Sequence, residues 1–175
     1  MLHVGCGSVH LDGWINIDLE SPVADVKHDL RQPLPYPDGS VDLIYNEHFI
    51  EHLNIPDGLI FMRECHRVLK SGGILRLATL DLSHVAFRYF FRWKDQDWIT
   101  RYNCDWLQTP AEMINLVFRA WEHKFIYDAQ ELNRRLREAG FTMVKRKKLN
   151  KSKHVQLRGR ETRKDSKLIM EATKS

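Results

Sequence analysis

Leu2-His3-Val4-Gly5-Cys6-Gly7-Ser8, followed by Trp14-Ile15-Asn16-Ile17-Asp18, decides how the rest of the sequence is read. A short apolar strand running into two closely spaced glycines, then a second strand ending in a carboxylate, is how an open α/β sheet builds a nucleoside site at its carboxyl edge. Glycine lets the backbone approach a ligand where a Cβ would collide. A carboxylate accepts hydrogen bonds from both hydroxyls of a ribose. Gly-x-Gly alone is a weak signal and fits a tight turn equally well. The carboxylates that follow it carry the argument.

Outward from that stretch, Asp25-Val26-Lys27-His28-Asp29-Leu30 reads as a third strand with a carboxylate at its end. Residues 31–40 hold Pro33, Pro35 and Pro37, which remove donors and restrict their predecessors, so no helix forms there. Val41 to Tyr45 is a fourth strand. A helix follows from about Pro56 to Lys70, with Leu59, Met62, His66 and Leu69 on one face, and Lys70-Ser71-Gly72-Gly73 ends it, cation then glycine. Ile74 to Leu80 is the fifth strand. Residues 84–127 form an aromatic-rich helical block, with helices near 84–93 and from Pro110 to about Trp121; most of its aromatics are expected in packing and a minority around a pocket. Asp128 suits the N-cap of a helix through Ala139, closed by Gly140. Phe141 to Leu149 and Leu168 to Ala172 complete the strands.

The 175 residues suffice for one domain with a single core. No apolar run approaches a membrane span, and Met1 leads straight into a strand-like segment without a basic-plus-apolar leader, so a soluble, cytoplasmic protein is expected. Cys6, Cys65 and Cys104 are odd in number and widely spaced, which argues against a disulfide framework or a four-cysteine zinc site. The net charge of +4 hides an asymmetry. Residues 145–167 carry eleven Lys or Arg against Glu161 and Asp165, a local +9, and the remainder sums to −5. Such a stretch suits either a solvated face or contact with nucleic acid or phosphate.

Gly5-x-Gly7, Asp18, Asp29-Leu30, the strand ending near Asn46, Leu69-Lys70-x-Gly72-Gly73 and Leu136-x-x-Ala139-Gly140-Phe141, in this order, resemble the class I (Rossmann-like) S-adenosylmethionine-dependent methyltransferases. The likeness is greatest to a small bacterial branch with Gly-Cys-Gly, Gly-Trp-Ile-Asn-x-Asp, Asp-Leu with Pro-Leu-Pro, and Glu-His-Leu, here Gly5 to Gly7, Gly13 to Asp18, Asp29 to Pro35, and Glu51 to Leu53. The resemblance implies an α/β fold with a mostly parallel seven-stranded sheet and a C-terminal antiparallel hairpin. It implies S-adenosyl-L-methionine as cofactor. Gly5, Cys6 and Gly7 would pass under its methionine and ribose, Asp18 with Leu19 would hold the ribose, and Asp29 with Leu30 would meet the adenine. Asn46 and Glu47 would face the methionine moiety and the incoming substrate.

Two departures from that family matter. Its usual acidic residue two positions before the first glycine is His3 here. Only six residues separate Gly7 from Trp14, and six separate Asp18 from Asp25, whereas a parallel crossover takes a dozen or more and a helix. Both crossover helices are therefore shortened or missing. The sheet face they leave bare calls for cover by the C-terminal segment or by a second subunit in a homodimer.

Methyl transfer from a sulfonium needs the acceptor aligned and desolvated, with no obligatory nucleophile or metal. Where the acceptor needs a general base, His48, Glu47, Asp81 and His84 lie near the carboxyl edge, with His48 and Glu47 the catalytic candidates. The expected acceptor is a small molecule or sugar; an RNA-modifying or nucleic-acid-binding protein using residues 145–167 is the alternative. His48-Phe49-Ile50-Glu51-His52 also matches the His-x-x-Glu-His zinc peptidase pattern, with Glu112, Glu122 or Glu131 as third ligand, but it follows a sheet strand in an order those peptidases lack. A nicotinamide dehydrogenase is disfavoured because Asp18 comes too soon after the glycines and Val9 stands where a third glycine belongs.

Overall fold

Short apolar runs with alternating partners become seven strands, and the longer amphipathic runs become five α-helices, in a computed structural model describing residues 1–175. In chain order these are β1 (Leu2–Val4), β2 (Ile15–Asp18), β3 (Val26–Lys27), β4 (Val41–Glu47), α1 (Ile55–Val68) and β5 (Leu69–Thr79). They continue with α2 (Leu82–Phe90), α3 (Asp97–Arg101), α4 (Pro110–Arg119), α5 (Ala129–Glu138), β6 (Met143–Arg146) and β7 (Leu168–Thr173). One sheet holds all seven strands in the order β3-β2-β1-β4-β5-β7-β6. Neighbours among β1 to β5 run parallel, and β7 runs antiparallel to both β5 and β6. This is the sheet the sequence implies. No helix is long and apolar enough to cross a membrane.

The two faces of the sheet are covered by different means. On one, Leu2, Val4, Ile17, Ile44, Leu75, Leu77 and Met170 meet α1 and α5 in an apolar cluster of 24 buried residues. Asn54 caps α1 by accepting from the Asp57 N–H at 2.9 Å, and Asp128 caps α5 by accepting from the Glu131 N–H at 2.8 Å. On the other face the crossovers after β1 and β2 contain no helix. Asn16 organises them instead: its side chain bonds Leu11, Trp14 and His3, while Asp25 accepts from both its backbone and its amide.

Cover for that second face comes from residues 149–163, a strap between β6 and β7. Its Leu157 is fully buried against Trp14, Leu43, Tyr45 and Ile74. Glu161 takes an ion pair from the Arg76 Nε at 2.6 Å, and Glu171 on β7 takes a second from Nη1 at 2.7 Å; all three side chains are buried. The strap's Arg160 lies over the Trp14 ring, 5.7 Å from its centroid. The chain's own segment thus supplies the cover, which removes the physical reason for a second subunit on this face.

Element boundaries differ from the sequence reading at two informative places. Lys70 to Gly73 does not close α1 but opens β5, because Val41 and Leu69 already pair and a bulge between Val41 and Leu43 absorbs the glycines. The expected strand over 141–149 shrinks to β6, since beyond Arg146 the chain leaves the sheet to form the strap. The aromatic block also contains the short α3, and packs its own cluster around Trp98, Leu107, Met113 and Val117.

Candidate active site

At the carboxyl edge of β1 and β2, Gly5, Gly7, Asp18, Leu19, Asp29 and Leu30 line one cavity of about 440 Å³. Its far wall is His48, Phe49, His52 and Leu53, closed by Glu122 and Lys124. The two glycines serve different purposes. A Cβ on Gly5 would stand 2.7 Å from the Phe49 side chain, so its absence admits Phe49; a Cβ on Gly7 would meet nothing within 4 Å and project into open space. Both residues hold positive φ, 65° and 52°. Asp18 shapes the loop by accepting from the Gly7 N–H at 2.9 Å and from the Glu20 and Ser21 N–H groups. Asp29 takes a two-pronged bond from Arg31, 2.9 and 2.7 Å, and that guanidinium holds its carboxyl down at about 2.

A second cavity of about 220 Å³ adjoins the first and shares His48 and His52 with it. Leu80, Trp98, Tyr102, Val117, Trp121 and His123 make its walls, with Arg163 from the strap's end and Asp165 just beyond it at its rim. Trp121 meets Trp98 edge-on and tilts against Tyr102, at centroid distances of 6.0 and 5.3 Å. Such walls favour a flat or ring-bearing molecule.

Between the cavities, His48 is held at both nitrogens. Nδ1 is 2.8 Å from the buried Glu51 carboxylate, and Nε2 is 3.0 Å from the Ser166 Oγ. Ser166 donates its own proton to Glu47 at 2.7 Å, so it can only accept from His48. Both ring nitrogens therefore donate, and the ring is an imidazolium without a free lone pair. Burial opposes that charge, and Glu51 outweighs it, so the His48 pKa is raised. Burial likewise works to raise the Glu51 carboxyl, and His48 overrides it, bringing Glu51 to about 2.

Residues 2–77 match the family model described as a methyltransferase domain. Over that stretch the chain is similar to the methyltransferases. Over 58 residues it is 43% identical to a probable S-adenosylmethionine-dependent methyltransferase of Mycolicibacterium smegmatis and 50% identical to one of Mycobacterium tuberculosis. Each match covers 33% of this chain, and only 22% and 20% of the respective relatives' lengths. An S-adenosylmethionine-dependent methyltransferase structure from Archaeoglobus fulgidus superposes with a TM-score of 0.56 at 17% identity, over 83% of this chain and 62% of that one. At that identity the likeness concerns the fold.

Within the methyltransferase fold, the residues singled out in the sequence divide into two groups. Gly5, Gly7, Asp18, Leu19, Asp29 and Leu30 come together on the first cavity. Cys6 does not line it: its thiol is buried against the Gly7 carbonyl. Asn46 turns inside the sheet, where its amide donates to the Val4 carbonyl at 2.8 Å. Glu47 lies on the strap side of β4, both oxygens accepting from Thr162 and one also from Ser166. Asp81 caps α2 through the Ser83 N–H and pairs with Arg146. Neither Glu47 nor His48 offers a free base in this arrangement.

The peptidase pattern does not form. Ile50–His52 is a single 3-10 turn, so His48 and His52 do not share a helical face, and two of the three expected third ligands are used elsewhere. Glu112 completes the capping box of α4, and Glu131 pairs with Arg134 and Arg135. Missed from sequence were Phe49, His123, Arg163 and Ser166. Only the aromatic density of residues 84–127 hinted at a pocket there.

Proposed function

We propose that the chain binds S-adenosyl-L-methionine in the 440 Å³ cavity and transfers its methyl group to a small acceptor in the adjoining aromatic one. The observation that carries this is the placement of Gly7, Asp18 and Asp29 on one cavity whose inner wall, His48 and His52, is also the wall of a second. The bound cofactor supplies an activated methyl on a sulfonium. Asp18 accepts from ribose hydroxyls, Asp29 from the adenine amino group, and the space above Gly7 admits the backbone-hugging part of the ligand. The aromatic walls exclude water and align the acceptor, which is most of what this displacement requires.

A small molecule or sugar fits better than a nucleic acid. Several cations of residues 145–167 are already engaged within the fold: Arg146 with Asp81, Lys147 with Glu171, Arg158 with backbone carbonyls, and Arg160 over Trp14. Titration calorimetry with S-adenosylhomocysteine tests the cofactor site. Micromolar binding that weakens about 10-fold or more in Asp18→Ala, with thermal unfolding preserved, is the expected result. Equal binding by the variant would refute the ribose assignment, and no binding by the wild-type chain would refute the transferase reading.

A further inference from the structure

The Glu51-His52 part of the sequence pattern finds a partner from a distant segment. Glu51, His52 and His123 bring one donor atom each to within 4.8 Å of one another. His123 comes from the loop that closes the donor cavity, and its backbone neighbours Lys124 and Phe125 bond the Glu51 carbonyl at 2.8 and 3.1 Å. Just before it, Trp121 and Glu122 both hold left-handed φ, 54° and 62°, a conformation unfavourable for residues with a side chain. Their effect is to turn the His123 ring onto His52, with centroids 5.0 Å apart.

The donors are available. His123 donates its Nδ1–H to the Val117 carbonyl at 2.7 Å, which leaves the lone pair on Nε2; this is how a backbone carbonyl orients a metal-binding imidazole. His48 and Thr79 occupy one lone pair on each Glu51 oxygen, and each oxygen keeps another. The surroundings favour a cation, since the carboxylates of Glu47, Glu51 and Asp165 outnumber the His48 and Arg163 cations beside them. Both imidazoles open onto the aromatic cavity.

We propose that Glu51, His52 and His123 bind a divalent cation of the zinc class, with a fourth position open to that cavity. Two imidazoles and one carboxylate suit zinc, and three protein ligands with an open position are the pattern of reactive rather than structural zinc sites. Calcium and magnesium demand more oxygens than this cluster offers. The donor set also differs from the peptidase pattern: His48 is not a ligand, and Glu51 is a ligand rather than a base. The open position takes an anionic oxygen or sulfur of whatever enters the cavity. That use rests on the acceptor reading, whereas the cation site itself does not.

The test uses the full chain, stripped with a chelator, then titrated calorimetrically with zinc chloride and spectroscopically with cobalt(II). One equivalent of zinc is expected, with strong visible cobalt bands of a low-coordinate site. His123→Ala should weaken zinc binding by about 10-fold or more while the metal-free protein melts as wild type does; His52→Ala repeats the test from the other imidazole. Zinc affinity unchanged in both variants, no stoichiometric zinc, or a weak six-coordinate cobalt spectrum each overturns the site. S-adenosylhomocysteine binding without zinc binding sinks the cation site alone; zinc without S-adenosylhomocysteine supports the site and sinks the cofactor reading.

Discussion

The two faces of this sheet reach burial by opposite routes. Under α1 and α5 the cover is apolar throughout, with Phe61, Met62, Leu132 and Leu136 fully buried. Under the strap, a small apolar cluster around Leu157 sits beside the Arg76, Glu161 and Glu171 triad and the His3–Asn16 pair. Apolar packing degrades gradually when one member is trimmed. A buried ionic network fails abruptly, because losing one partner leaves an uncompensated charge out of water. The face without helices should therefore be the more brittle one.

The largest expected effect follows directly. Arg76→Ala strands the buried Glu161 carboxylate and leaves Glu171 with Lys147 alone, and should cost about 3–5 kcal/mol in urea unfolding. Leu136→Ala on the helical face should cost about 2–5 kcal/mol, toward the lower part where α5 can settle onto the sheet. The more telling variant is Arg76→Met combined with Glu161→Leu and Glu171→Leu, which replaces the network by apolar volume and should recover most of the loss. If Arg76→Ala proved milder than Leu136→Ala, the contrast between the faces would be wrong.

A middle-sized effect concerns acid. Burial pushes the His3 imidazole below its ordinary value of 6.5. For Glu171, burial works upward, but Ser152 and Lys147 outweigh it and leave the carboxyl below 4.5. Both folded values lie under the unfolded ones, so each contribution is full above the unfolded value and is lost as pH falls through it toward the folded one. Thermal unfolding should weaken first as pH drops below 6.5, through His3 together with His52, His66 and His84, which burial also lowers, and again below 4.5, through Glu51 and Glu171. His3→Gln should reduce the first stage and leave the second unchanged. An unaltered profile in that variant would place the acid sensitivity elsewhere.

How much of this was legible follows from sequence distance. The glycine-lined cavity draws on Gly5, Gly7, Asp18 and Asp29, whose chemistry lies within one short stretch, and Asp128 announces α5 by itself. The strap and the aromatic cavity draw on pairings such as Glu47 with Thr162 and His48 with Ser166, separated by more than a hundred residues, which no local pattern encodes. One signal was present and is physically sensible in retrospect. A parallel strand covered by helices on both sides reads as continuously apolar, whereas β1, β2 and β5 interleave His3, Asn16 and Arg76 with Val4, Ile17 and Leu75. That alternation marks a face whose cover is polar.

The smallest expected effect separates burial from charge as the cause. Lys70, on the same strand as Arg76, pairs with Asp42 at 2.8 Å, and both side chains are about half exposed. Water already solvates both ions, so removing either leaves no stranded charge, and salt screens what attraction remains. Lys70→Ala should leave the urea midpoint within measurement scatter, and wild type and variant should converge fully in high salt. The Arg76 deficit should persist in the same salt, because its partners are out of reach of counterions. A Lys70→Ala loss comparable to that of Arg76→Ala would mean that ion pairing on β5, and not the desolvation under the strap, makes this face brittle.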